Sequence, residues 1–192
     1  MPWIVRSRPL CNRSSLREAV TPQASIHETM KTYLLTAFLG PGLALNLFVS
    51  PAAAQSSIFI VRHAEKAEST GNDQDLSEAG RARAEALAYI LKDAKITGIY
   101  TTEFKRTQQT AAPLARALGL ETIVHPAQAT EFATKLRSAA GNALVVGHSN
   151  TIPELIKELG IDTPIKLTDH DYDNLFVVVL EQNPRLIRLH YR

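Results

Sequence analysis

From Gln55 onward, short runs of consecutive apolar residues alternate with longer stretches whose apolar positions recur every three or four residues. The first kind reads as strands buried on both faces, the second as amphipathic helices. The pattern predicts strands over 57–62, 98–101, 121–125 and 143–147. Helices are expected from Ser77 to about Leu91, with Ala84, Leu87, Ala88 and Leu91 on one face, then over 104–118, 130–140 and 151–159. Two last strands, 175–182 and 186–191, flank Asn183-Pro184 as an edge hairpin. Ser77 has the character of an N-cap, with Glu78 in the first turn behind it. Gly119 closes the second helix, and Pro153 sits in the first turn of the fourth. This rhythm implies an α/β fold: a three-layer sandwich with a mostly parallel central sheet and helices on both faces.

The first 54 residues do not share this pattern. Lys31, an apolar run over 33–49 broken by Gly40-Pro41-Gly42, and Ala52-Ala53-Ala54 together read as an export signal starting at Met30. Cleavage after Ala54 leaves Gln55 first and implies a periplasmic or secreted location. A retained membrane anchor is the alternative, although a spanning helix needs about 20 uninterrupted apolar residues. Residues 1–29 carry Arg6, Arg8, Arg13 and Arg17; they read as sequence upstream of the true start, with an extended basic region or a transit-like segment as alternatives. The chain thus divides into 1–54, an extension plus signal, and 55–192, one domain large enough for its own core.

Charge follows the same division. The whole chain carries 21 Lys+Arg against 19 Asp+Glu, but five of those bases and two acids precede Gln55. Residues 55–192 are therefore nearly balanced, which gives no argument for a nucleic-acid partner. The single cysteine, Cys11, lies in the leader, so disulfides and thiolate metal sites are not expected in the domain.

Chemistry concentrates where strands end. Arg62-His63 follows the first strand, Arg106 opens the second helix, and His148 follows the fourth strand. Open α/β sheets bind ligands at such positions. A neutral imidazole is a competent nucleophile at phosphorus, guanidinium forks match phosphate oxygens, and a helix start adds its amides. These four side chains can share a site only if the first, second and fourth strands lie side by side. No P-loop is present, and Gly147-His148-Ser149-Asn150-Thr151 lacks the final glycine of a nucleophile elbow. His125, His170 and His190 read as structural or exposed.

Four motifs then carry a resemblance. Arg62-His63-Ala64-Glu65 resembles the Arg-His-Gly motif of the histidine phosphatase superfamily, the phosphoglycerate mutase-like fold. Leu76-Ser77-Glu78-Ala79-Gly80 is similar to its Leu-Ser-x-x-Gly helix start, and the 101–111 segment to its Ser-x-x-x-Arg-Thr-x-Gln-Thr-Ala segment. Val146-Gly147-His148-Ser149-Asn150 resembles its second-histidine motif. The resemblance implies that His63 is the phosphorylated nucleophile and that Arg62, His63, Arg106 and His148 form a phosphate pocket, with no metal or cofactor. Ala64 departs from the usual glycine. The general acid has no full match: Glu131 is nearest in position, with Asp171, Asp173 and Glu65 as alternatives.

The resulting expectation is a metal-independent phosphatase acting on a small phosphomonoester or phosphoramidate. The chain lacks the extra segments that would enclose a mutase substrate. A catalytically weak phosphate-binding or sensing module is the alternative, and a metal hydrolase using His63 and His148 is a third reading.

Overall fold

The computed structural model describes residues 55–68, 70–125 and 128–192. The expected signal and its cleavage after Ala54 fall outside these residues.

The chain runs β1 (Ser56–Arg62), α1 (Glu78–Leu91), β2 (Ile96–Thr101), α2 (Lys105–Leu118), β3 (Thr122–Val124), α3 (Ala129–Ser138), β4 (Asn142–Gly147), α4 (Thr151–Glu158), β5 (Asn174–Leu180) and β6 (Arg185–His190). One sheet has the order β3-β2-β4-β1-β5-β6. The β3–β2, β2–β4 and β4–β1 pairs are parallel; β1–β5 and β5–β6 are antiparallel. This is the mostly parallel α/β architecture that the strand–helix alternation implies. It leaves β1, β4 and β2 adjacent, the condition for gathering residues 62, 63, 106 and 148.

Alternation along each central strand fills two cores. Ile58, Ile60, Val145, Phe176 and Val178 face Phe132 and Leu136 of α3 and Ile152 and Ile156 of α4. Val61, Leu144, Val146, Leu175 and Val177 face Leu87 and Leu91 of α1 and Ala111 and Leu114 of α2. Apolar side chains therefore stand on both sides of the pleat, which is why the strands read as unbroken apolar runs.

Some boundaries differ from the sequence expectation. β2 begins at Ile96 because a register shift between Ile96 and Gly98 lets the earlier residue pair. β3 is only three residues long, at an edge where one neighbour stabilises it. The hairpin is present, but only β6 is an edge; β5 pairs with β1 and is interior. No described helix is long and apolar enough to cross a membrane.

Candidate active site

His63 leaves the C-terminal end of β1, and its backbone N–H donates to Gly147 O at 2.9 Å, extending the β1–β4 ladder by one residue. The following amide, Ala64 N–H, donates to Thr110 Oγ1 at 2.9 Å. The chain therefore turns into the site between β4 and α2. His63 Nδ1 lies 2.8 Å from Ala64 O. A carbonyl can only accept, so Nδ1 carries the proton and Nε2 presents its lone pair. Burial lowers the His63 pKa to about 4; the charges of Arg62, His148 and Arg106 act in the same direction, against the Ala64 hydrogen bond. The ring is neutral at physiological pH.

His63 and Arg106 line one cleft of about 420 Å³, together with Lys66, Asn72, Gln74 and Phe104. The His148 ring stands edge-on to His63 at 5.3 Å and to Phe104 at 5.4 Å between centroids. Its Nε2 is 3.1 Å from Thr102 Oγ1, and its backbone N–H donates to Thr151 Oγ1 at 3.1 Å at the head of α4. Burial lowers the His148 pKa to about 4, reinforced by Arg106 and opposed by Glu103. His148 is thus neutral in the empty site; a bound dianion would favour its protonated form.

Each arginine lies against an aromatic ring. Arg106 Cζ is 4.2 Å from the Phe104 ring centre, and Arg62 Cζ is 4.3 Å from that of Tyr172. Arg106 Nη1 donates to Asn72 O at 3.0 Å. Arg62 is almost fully buried; its Nη1 donates to Thr168 O at 2.7 Å and its Nη2 reaches Asp169 at 3.4 Å. Its Nε–H has no partner among the described residues.

The residues between these groups act as scaffold. Thr110 Oγ1 donates to Arg106 O at 2.7 Å while accepting from Ala64, tying the first strand's exit to the second helix. Gln109 accepts from Leu76 N–H at 2.8 Å and donates to Asp75 at 2.7 Å. Gly80 has a steric role: a Cβ there would lie 2.1 Å from Glu65 O. Ser77 caps α1 through Gly80 N–H at 3.1 Å, and Ser77 N–H donates to Glu65 O at 2.9 Å. Ala64 is fully buried beside Leu76 and Ala84, and no positive φ is found there, so the methyl group is accommodated.

The structure brings Arg62, His63, Arg106 and His148 close to one another. Glu131 is exposed in the first turn of α3, and no contact of those four side chains involves it. Among the other acid candidates, Glu65 is held by Arg83 at 2.6–2.9 Å. Burial acts to raise its pKa, but the hydrogen bonds and charge of Arg83, with smaller help from Arg62, carry it below the usual carboxylate value. Asp171 accepts from Thr168 N–H at 2.6 Å, which also lowers its pKa. Both are ionised at neutral pH. Asp173 pairs with His190 at 3.3 Å. Sequence reasoning missed Tyr172, Phe104 and Thr102 as partners of the arginines and His148, and missed Glu103 as the acid whose charge acts on both His148 and Arg106. The Arg-aromatic pairing leaves no spacing signature that could have revealed Tyr172. Among the described residues, no group of three His, Cys, Asp or Glu side chains is arranged to hold a metal.

Comparison with known proteins agrees with the motifs. Residues 58–129 match the family model of the histidine phosphatase superfamily, branch 1. Among curated proteins, none matches the chain. The chain superposes on the protein histidine phosphatase SixA complexed with tungstate, with TM-score 0.59 and 21% identity over 70% of this chain and 96% of that one. It also superposes on a mycobacterial glucosyl-3-phosphoglycerate phosphatase, with TM-score 0.54 and 14% identity over 72% of this chain and 100% of that one. That mycobacterial enzyme in complex with inorganic phosphate gives TM-score 0.52 and 18% identity over 68% and 95%.

A mostly parallel α/β sheet with an Arg-His pair at one strand end and a second histidine at its neighbour defines the class, a phosphoglycerate mutase-like phosphatase fold. Over residues 58–129 the chain matches the histidine phosphatase superfamily, and its fold is shared with the solved phosphatases above.

Proposed function

We propose that the protein is an exported, metal-independent phosphatase that hydrolyses a small phosphomonoester or phosphoramidate through a phosphohistidine on His63. The observation that carries this reading is the state of His63. Its Nδ1 proton is committed to Ala64 O, its ring is neutral, and it shares a cleft with Arg106. Nε2 attacks phosphorus as the bond to the leaving group breaks, and the departing atom takes the bonding pair. Arg62, Arg106 and His148 hold the non-bridging oxygens and offset the charge that builds there. Water then attacks the phosphohistidine, the P–N bond breaks, and phosphate and neutral His63 are restored.

Proton delivery to the leaving group is the least defined part of the site, because Glu65 and Asp171 are ionised and Glu131 makes no contact with the four side chains. This favours substrates whose leaving group departs with little protonation, such as a phosphoramidate. The likeness to a protein histidine phosphatase supports the same choice. The absence of a matched proton donor also motivates the rival reading, a phosphate-binding module without turnover.

Trapping separates the two. Incubation with para-nitrophenyl phosphate in the presence of a chelator, followed by mass spectrometry without acid, is expected to give a protein heavier by one phosphoryl group, mapped to His63 and absent from His63→Ala. Phosphate binding without any phosphorylated protein would favour the rival. Turnover that stops with chelator and returns with zinc would favour metal-dependent hydrolysis.

A further inference from the structure

The cleft beside His63 contains more cationic and amide groups than a single phosphoryl group uses. Lys66, Asn72 and Gln74 line it together with Arg106, and no carboxylate is among its lining residues. Of the three acids of the same loop, Glu68 is exposed, Asp73 accepts from Lys105 N–H at 2.7 Å with its charge acting on Arg106, and Asp75 accepts from Gln109 at 2.7 Å. Lys66 forms no ion pair, and the side chains of Lys66, Asn72 and Gln74 form no hydrogen bond among the described residues. Their backbone is nevertheless held in place. Lys66 bridges to Leu76, Ala67 N–H donates to Asp75 O at 2.8 Å, and Asn72 O accepts from Arg106. A solvated lysine alone would carry no such argument, but here one basic and two amide residues line the cleft that holds the reactive imidazole.

We propose that Lys66, with Asn72 and Gln74, forms a second anion subsite, so that the preferred substrate is a small phosphorylated compound whose leaving group carries a further negative charge close to the scissile bond. This inference rests on the phosphatase reading of the same cleft. Lys66 acts as a specificity-determining residue: its charge attracts the distal anion and the amides donate to that anion's oxygens.

The test compares wild type with Lys66→Met on 2-phosphoglycolate, which carries a carboxylate, and on phenyl phosphate, which does not. The ratio of the two kcat/KM values is expected to fall roughly five- to tenfold, the scale of one partly exposed charge-assisted hydrogen bond, and mostly through KM. Lys66→Arg should restore most of the ratio. A ratio within about twofold of wild type would overturn the proposal, because it would leave Lys66 a general source of positive potential. Calorimetric affinity for 2-phosphoglycolate relative to inorganic phosphate, measured in both proteins, tests the same ratio without turnover. A wild type that binds both anions but hydrolyses neither ester ends the phosphatase reading, and the affinity ratio still decides the role of Lys66.

Discussion

The low basicity of His63 has a consequence that can be measured directly. An imidazole with the ordinary pKa of about 6.5 would be roughly 90% protonated at pH 5.5, whereas one at about 4 is protonated to only ~3%. Since only the neutral ring can attack phosphorus, the nucleophile should survive mild acid almost intact. The cause is burial first, with Arg62, His148 and Arg106 adding to it. Removing one of those charges, as in Arg106→Ala, should therefore raise the His63 midpoint but not return it to 6.5. The assay is an NMR titration of the imidazole protons in the phosphate-free protein, assigned with His63→Gln and His148→Gln, followed by kcat/KM against pH. The sign for stability is equally definite. Both folded-state pKa values lie below the unfolded value, so the unfolded chain takes up more protons between about pH 6.5 and 4. Stability is full above that window and is lost as pH falls through it, by up to about 3 kcal/mol for the buried His63 ring and less for the partly exposed His148 ring. A His63 midpoint between 6 and 7, or an acid limb of kcat/KM set by this residue in that range, would refute the account of a desolvated nucleophile.

Two other substitutions probe the scaffold. Tyr172→Ala removes the ring 4.3 Å from the Arg62 guanidinium and should reduce kcat/KM roughly three- to thirtyfold, on the scale of a partly desolvated cation–π contact, while Tyr172→Phe should be nearly silent; steady-state kinetics with phosphate as competitive inhibitor checks both. Gly80→Ala forces a methyl group against Glu65 O and should cost about 1–3 kcal/mol or more in urea unfolding, with activity reduced because Glu65 is only two residues from His63; an unchanged midpoint would contradict the close approach of α1 to the β1 exit.

The order of elements, the two-sided burial of the central strands and the four strand-end or helix-start residues were legible because each depends on local pattern. The chain must bury apolar runs such as 58–61 on both faces, and a cap such as Ser77 bonds within three residues. The Arg-His and second-histidine motifs likewise mark the ends of β1 and β4 without reference to the rest of the fold. What the sequence could not reveal was set by long-range packing. Glu131 is the candidate donor nearest in position after the third strand, and its exposure in the first turn of α3 is a matter of packing. Glu65 stands two residues from His63, yet Arg83 from the next helix neutralises it as an acid. Tyr172 reaches Arg62 across more than a hundred residues of sequence, and Lys66 and Arg106 line one cleft from separate segments, so their placement follows from which strands lie next to one another. The depressed pKa values belong to the same category: desolvation and neighbouring guanidinium charges exist only once β2, β4 and β1 are side by side.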